Sequence, residues 1–226
     1  MDNLLLQIAH CVERGKMNMK SPHPADLKGQ PGVDELTSEA ISQGIAPADV
    51  LNQGLIAGME AIGVKFRENK VFVPEVLIAA RAMNAGMKHI APFFEAKVLS
   101  LKGIVVVGTV AGDLHDIGKN ILAMMLKGSG WDVIDLGVDV SGEKFADAVK
   151  THKPDAVCLS ALLTTTMLNM KTIRDIVKAV DPDVKVLIGG APVTAKYAEE
   201  IAADLYSPDP QGAIEFLNKH CLRTVN

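Results

Sequence analysis

Two residues apart, Asp113 and His115 pair a carboxylate with an imidazole. Histidine is the commonest nitrogen ligand for metals, and a carboxylate on its second ring nitrogen fixes the tautomer and raises its basicity. One histidine cannot hold a bare ion, since protein zinc sites use three or four ligands. No second histidine or cysteine stands at ligand spacing, so a metal at His115 would take its other ligands from a cofactor. The residues alone also allow a plain loop histidine, the reading given to His10, His23, His89, His152 and His220. Downstream, the polar run Ser160-Ala-Leu162-Leu163-Thr164-Thr165-Thr166 could line a ligand cleft. Equally, one of its threonines could cap a helix starting near Met167. The pair Gly189-Gly190 allows close backbone approach to a ligand, or a simple turn. A rival chemistry uses Gly108, Gly112 and Gly118 with Asp135 as a ribose-binding acid. The spacing is not G-x-G-x-x-G, and a histidine would project into the pyrophosphate's place.

These residues need a scaffold that brings loops together. The β-branched run Gly103–Gly108 enters a glycine-punctuated loop, and a helical pattern follows from about Asp116 to Gly128. Further strand-type runs are Trp131–Leu136, Ala156–Ser160, Val184–Ile188 and a weak one near Asp204–Tyr206, alternating with helical stretches. Alternation of this kind indicates a parallel sheet with helices on both faces, where ligands sit outside the carboxyl ends of the strands. Before it, helical patterns run from Leu4 to about Met17, from about Val33 to Gln43, from Pro47 through Val50, Leu51, Leu55, Ile56 and Met59, and from Pro74 to about Phe94. Gly63–Asn69 is expected to be a break or bend. The expected fold is therefore α/β: a four-helix bundle over residues 1–91, a linker over 92–102, and a flavodoxin/Rossmann-like five-stranded parallel sheet with flanking helices over 103–226.

At 226 residues with 48% hydrophobic and 22% charged residues, the chain can bury an ordinary core. A net charge of −4 without a basic run argues against nucleic-acid binding. No apolar run reaches membrane-spanning length, and the start Met1-Asp-Asn-Leu lacks the basic flank and apolar core of a secretion signal. Three cysteines (Cys11, Cys158 and Cys221) without CxxC spacing suit structural thiols in a reducing cytoplasm.

Taken together, Asp113-x-His115-x-x-Gly118, Ser160-x-Leu162 and Gly189-Gly190 resemble the signature of cobalamin-binding proteins that hold B12 base-off and histidine-on. Gly54-Leu-Ile-Ala-Gly58-Met59, Gly63-Val-Lys-Phe66 and Lys70-Val-Phe72-Val73-Pro74-Glu75 resemble the helical cap of methionine synthase and of the corrinoid proteins of methyltransfer systems. The chain is thus similar, from about Val33 to Ala213, to a stand-alone corrinoid methyl carrier. It departs in a longer loop over Lys20–Gly32, in Val73 where leucine is frequent, and in Ala202 where glycine is frequent.

The resemblance implies cobalamin as cofactor, with His115 as cobalt's lower ligand and Asp113 as its hydrogen-bonding partner. Thr166 would extend that relay. The displaced lower base would insert beside Ser160, Leu162, Gly189 and Gly190. Leu114, Asp116, Ile117, Gly118 and Thr164 would complete the binding surface, while Phe66 and Val73 would cover the upper face. It further implies a methyl group carried between Co(I) and methyl-Co(III), proton uptake by the His115–Asp113 pair as the histidine leaves cobalt, and a cap that moves about a hinge near Pro92–Lys102. The implied partners are a substrate-specific methyltransferase, an acceptor methyltransferase (tetrahydrofolate as acceptor) and a reductive activator, the carrier not being catalytic alone. Methanol, methylamines, aryl methyl ethers and glycine betaine are all possible donors. A subunit of an adenosylcobalamin mutase and a B12 sensor are the alternative readings.

Overall fold

The computed structural model describes residues 2–96 and 99–222. The chain divides into two compact units, one up to Ser100 with Gly128–Gly130, the other Leu101–Lys127 with the chain from Trp131 onward.

The first unit is helical. It contains α1 (Asp2–Glu13), α2 (Val33–Ser42), α3 (Pro47–Asp49), a π-helical stretch (Val50–Ile56) running into α4 (Ala57–Arg67), and the long α5 (Val73–Glu95). Taking α3 to α4 as one rod, the described residues form the four rods expected of a bundle. Glycines let two rods approach: a Cβ at Gly58 would stand 2.5 Å from the Ala9 carbonyl oxygen and from Val12 Cβ on α1. Ile8, Val12, Leu55, Met59 and Ile90 are buried, each such side chain contributing about 1.5–3 kcal/mol. The break expected over Gly63–Asn69 falls only in the last part of that range, because Gly63 is buried inside α4. The helix ends at Arg67, and beyond its C-cap Glu68 the chain turns left-handed at Asn69, φ 55°. The long loop before α2 is tied down by Arg14, whose guanidinium reaches both Asp26 oxygens at 2.8 and 3.0 Å. Within it the buried Lys16 ammonium donates to the Ser21 carbonyl at 3.0 Å.

Helix α5 continues through Pro92 to Glu95, so the expected linker begins later than residue 92. Within that linker, residues 97 and 98 lie outside the described residues, as do 223–226 of the expected C-terminal domain.

The second unit is built on β1 (Ile104–Thr109), β2 (Asp132–Asp135), β3 (Ala156–Ser160), β4 (Lys185–Gly189) and the short β5 (Leu205–Tyr206). All pairings are parallel, in the order β2-β1-β3-β4-β5. Six helices flank them: α6 (Ile117–Gly128), α7 (Gly142–His152), α8 (Thr164–Met167), α9 (Asn169–Val180), α10 (Ala195–Glu200) and α11 (Pro210–His220). Both faces of the central strands are covered, which is why β1, β3 and β4 read as continuous apolar runs. Val106, Val157, Leu159, Val186 and Ile188 meet Phe145, Val149, Met170 and Ile173 in one core. Gly108 makes room for this packing, since a Cβ there would lie 2.6 Å from Phe145 Cζ. Chain order reverses between β1 and β3, and the crevice at such a switch point is where open α/β sheets bind ligands.

Candidate functional site at the carboxyl edge of the sheet

The loop after β1 opens at that switch point. Val110 makes one more parallel bridge, to Val140, and Gly112 then turns the chain at φ 80°. This turn sends the Asp113 side chain inward, where it is fully buried, and leaves Leu114 to Gly118 exposed. Five hydrogen-bonding contacts converge on the Asp113 carboxylate. Oδ1 accepts the His115 backbone N–H at 3.1 Å and faces His115 Nδ1 at 2.7 Å. Oδ2 accepts the Leu162 N–H at 2.8 Å, the Leu163 N–H at 3.3 Å and the Thr166 hydroxyl at 2.6 Å.

Burial pushes the Asp113 carboxyl upward, but the hydrogen bonds from Thr166, Leu162 and His115 outweigh it and hold the group well below the usual carboxylate range. The ionised carboxylate only accepts, so the ring proton of His115 resides on Nδ1. In the neutral ring the lone pair is then on Nε2. The His115 side chain is half exposed, and its backbone carbonyl accepts the Thr109 hydroxyl at 2.9 Å. The arrangement offers a single oriented nitrogen donor on a fixed loop.

The same loops expose apolar side chains: Leu114 and Ile117 are 72% and 70% exposed, and Leu162 and Leu163 after β3, and Leu168 between α8 and α9, are exposed too. Ser160 ends β3 opposite Gly189, which ends β4. Gly190 sits at φ 122°, and any Cβ there would run into the Ala161 carbonyl. At Gly189 a Cβ would stand 3.1 Å from the Ser207 carbonyl, while at Gly118 it would meet nothing within 4 Å. Among the described residues no cluster of three or more His, Cys, Asp or Glu can hold a bare ion. One imidazole nitrogen beside an apolar surface and side-chain-free backbone therefore fits a planar group that brings its own equatorial metal ligands.

The structure brings Asp113, His115, Leu162 and Thr166 into direct contact. Leu114, Asp116, Ile117 and Gly118 share the same loop and helix start, Ser160, Gly189 and Gly190 line the neighbouring strand ends, and Thr164 is the exposed first residue of α8. Phe66 and Val73 belong to the helical unit, in the last turn of α4 and at the start of α5. No threonine caps a helix here, contrary to the simpler expectation: Leu163 and Leu168 occupy the N-cap positions of α8 and α9. The Thr166 hydroxyl is drawn to the charged Asp113 instead. Asp135 is not free for a ribose either, because its two oxygens accept the Lys119 ammonium at 2.7 and 2.6 Å.

Sequence reading missed Lys119, Asp139 and Thr109. Lys119 is 3% exposed and also donates to Asn120 Oδ1 at 2.7 Å, whose amide in turn holds Asp116 at 2.9 Å. Its place one helical turn before the buried Ala123 marked it as inward-facing.

A profile described as a B12 binding domain matches residues 103–214, and a second one, also described as a B12 binding domain, matches residues 30–91. The chain is 44% identical over 185 residues to the trimethylamine corrinoid protein of Methanosarcina barkeri, covering 80% of this chain and 85% of that one. It is 38% identical over 192 residues to a corrinoid protein of Desulfitobacterium hafniense, covering 83% and 89%. Among solved structures, the methanol:cobalamin methyltransferase complex MtaBC from Methanosarcina barkeri matches with a TM-score of 0.79 at 29% identity, covering 96% of this chain and 79% of that one. A cobalamin-binding protein from Desulfitobacterium hafniense matches with a TM-score of 0.76 at 28% identity, covering 95% and 97%.

Proposed function

The chain belongs to the corrinoid proteins of methyltransferase systems, and from that premise we propose that it carries methyl groups on a cobalamin held base-off through His115. A bound corrin supplies the cobalt that takes up and gives up the methyl group. His115 contributes Nε2 as lower ligand. Asp113 keeps the ring in the tautomer that leaves this nitrogen free, and Thr166 with the Leu162 N–H keeps Asp113 ionised. Leu114, Ile117, Leu162 and the exposed Thr164 line the face on which the macrocycle rests, with Asp116 and Gly118 at its border. Ser160, Gly189 and Gly190, at the paired ends of β3 and β4, would border the displaced base. Phe66 and Val73 are proposed to shield the methyl-bearing face on the sequence resemblance of Gly63–Glu75 alone.

The donor we propose is a methylated amine, because the relatives at 38–44% identity include corrinoid proteins named for trimethylamine and dimethylamine. A donor-specific methyltransferase would load the carrier and a second methyltransferase would unload it, tetrahydrofolate being the first acceptor to test. A reductive activator would return oxidised cobalt to the cycle. The observation that carries the reading is the half-exposed His115 with Nδ1 locked on a buried carboxylate at 2.7 Å.

The test is a visible absorption titration with hydroxocobalamin, comparing wild type with His115→Ala. Saturable uptake with a lower-ligand spectrum lost in His115→Ala is the expected result. Uptake with no dependence on His115 would remove the ligand assignment. No uptake would remove the carrier function.

A further inference from the structure

Asp139 lies in the turn after β2 with φ 52°, a left-handed backbone that L-residues other than Asn and Asp rarely adopt. An aspartate that merely makes a turn bonds its own chain two residues on. Asp139 does something else. Its Oδ1 accepts the Gly112 N–H at 2.7 Å, 27 residues away, and its own N–H donates to the Asp113 carbonyl at 3.0 Å. The next residue continues the seam, with the Val140 N–H on the Thr109 carbonyl at 2.9 Å. Gly112, itself at φ 80°, is the pivot that sends the Asp113 side chain inward. One left-handed residue therefore grips both peptides from which the Asp113–His115 pair is suspended.

We propose that Asp139 is a positioning residue for the histidine loop, holding Gly112 and Asp113 so that the His115 ring is presented at a fixed place to the corrin. The proposal rests on His115 as the lower ligand. Among the described residues, the hydrogen bonds of Asp139 to this loop go to Gly112 and Asp113 and not to the His115 imidazole. It acts on backbone alone, which separates it from Thr166, whose hydroxyl meets the Asp113 carboxylate directly.

Two substitutions divide side chain from backbone. Asp139→Gly keeps the left-handed conformation free of strain and removes the acceptor. Asp139→Asn keeps both an acceptor oxygen and a tolerance for that conformation. The whole chain is loaded with hydroxocobalamin and reduced to Co(II), and its electron paramagnetic resonance is recorded. With 15N-labelled histidine in the chain, doublet splitting from the imidazole, against the triplet of the cofactor's own benzimidazole nitrogen, reports the histidine-on fraction of the folded, loaded protein.

Asp139→Gly is expected to lower the ratio of histidine-on to histidine-off about 10-fold, the effect of losing an outer-shell partner, and Asp139→Asn to restore it. In the cofactor-free chain, amide exchange at Gly112, His115 and Leu162 is expected to speed up in Asp139→Gly. A variant that unfolds more easily yet keeps the wild-type ratio would overturn the positioning role. If wild type itself shows no doublet from labelled histidine, the ligand reading fails, and unchanged exchange at His115 and Leu162 in Asp139→Gly then overturns the positioning role as well.

Discussion

Thr166 donates its hydroxyl to Asp113 Oδ2 at 2.6 Å, across 53 residues of sequence. Both side chains are buried, so the contact is a charge-assisted hydrogen bond out of water. Thr166→Val keeps the shape and removes the donor. The expected cost is about 1.5–3 kcal/mol, the range for hydrogen bonds to charged groups, measured as a drop in urea stability of the cofactor-free chain. A loss indistinguishable from zero would mean that a second donor takes over at Asp113.

The same carboxylate predicts an acid limit. Asp113 titrates below its unfolded value, because hydrogen bonds outweigh the opposing effect of burial. A depressed carboxyl stabilises the fold above the unfolded pKa of about 3.9. That contribution is lost as pH falls through this value toward the folded one, since the unfolded chain then binds more protons. Wild-type stability should therefore decline below about pH 5, and Asp113→Asn should show a shallower decline over the same range. Parallel pH profiles would show that other carboxyls set the limit.

Lys119 is a buried cation of the second unit, joined to Asp135, which is about one-third exposed. Lys119→Met is expected to lose about 1.5–3 kcal/mol. Because the two groups form one interaction, the double variant with Asp135→Asn should lose less than the sum of the single losses. Additive losses would show that the lysine acts through packing rather than through the pair.

Ala202 follows α10 at φ 53°. Its N–H bonds the Glu199 carbonyl at 3.1 Å, and the Ala203 N–H bonds the Ala198 carbonyl at 2.9 Å, a helix stop that favours glycine. The left-handed cost of about 1–2 kcal/mol for an L-residue exceeds glycine's entropic penalty of about 0.5–1 kcal/mol. Ala202→Gly should therefore raise the thermal midpoint of the α/β unit by about 2 °C. A lowered midpoint would mean that the Ala202 methyl packs more than it strains.

Much of this architecture was readable in advance because the physics is local. β1, β3 and β4 are buried on both faces and leave long β-branched runs, and even the two-residue β5 showed as a weak one. Asp113 and His115 declared themselves by their spacing after a strand. What stayed hidden depends on partners far away in sequence. Gly63 reads as a breaker until the burial of α4 shows why it is kept. From the residues alone the threonines after Ser160 read as caps or cleft lining, and only the family resemblance pointed from Thr166 to Asp113. Asp139 gives no local sign of its role, since the amide it holds belongs to the loop after another strand.

Sheet order also has a meaning in time. β3 lies beside β1, so the groups that hold Asp113 from the far side are made well after it during synthesis. Domains form from the N-terminus as the chain emerges. A nascent chain that has released His115 but not yet Leu162 and Thr166 carries an Asp113 with two of its five hydrogen-bonding contacts, both from His115. On the proposal that His115 is the lower ligand, the site that would receive the corrin is complete only once the third strand is in place.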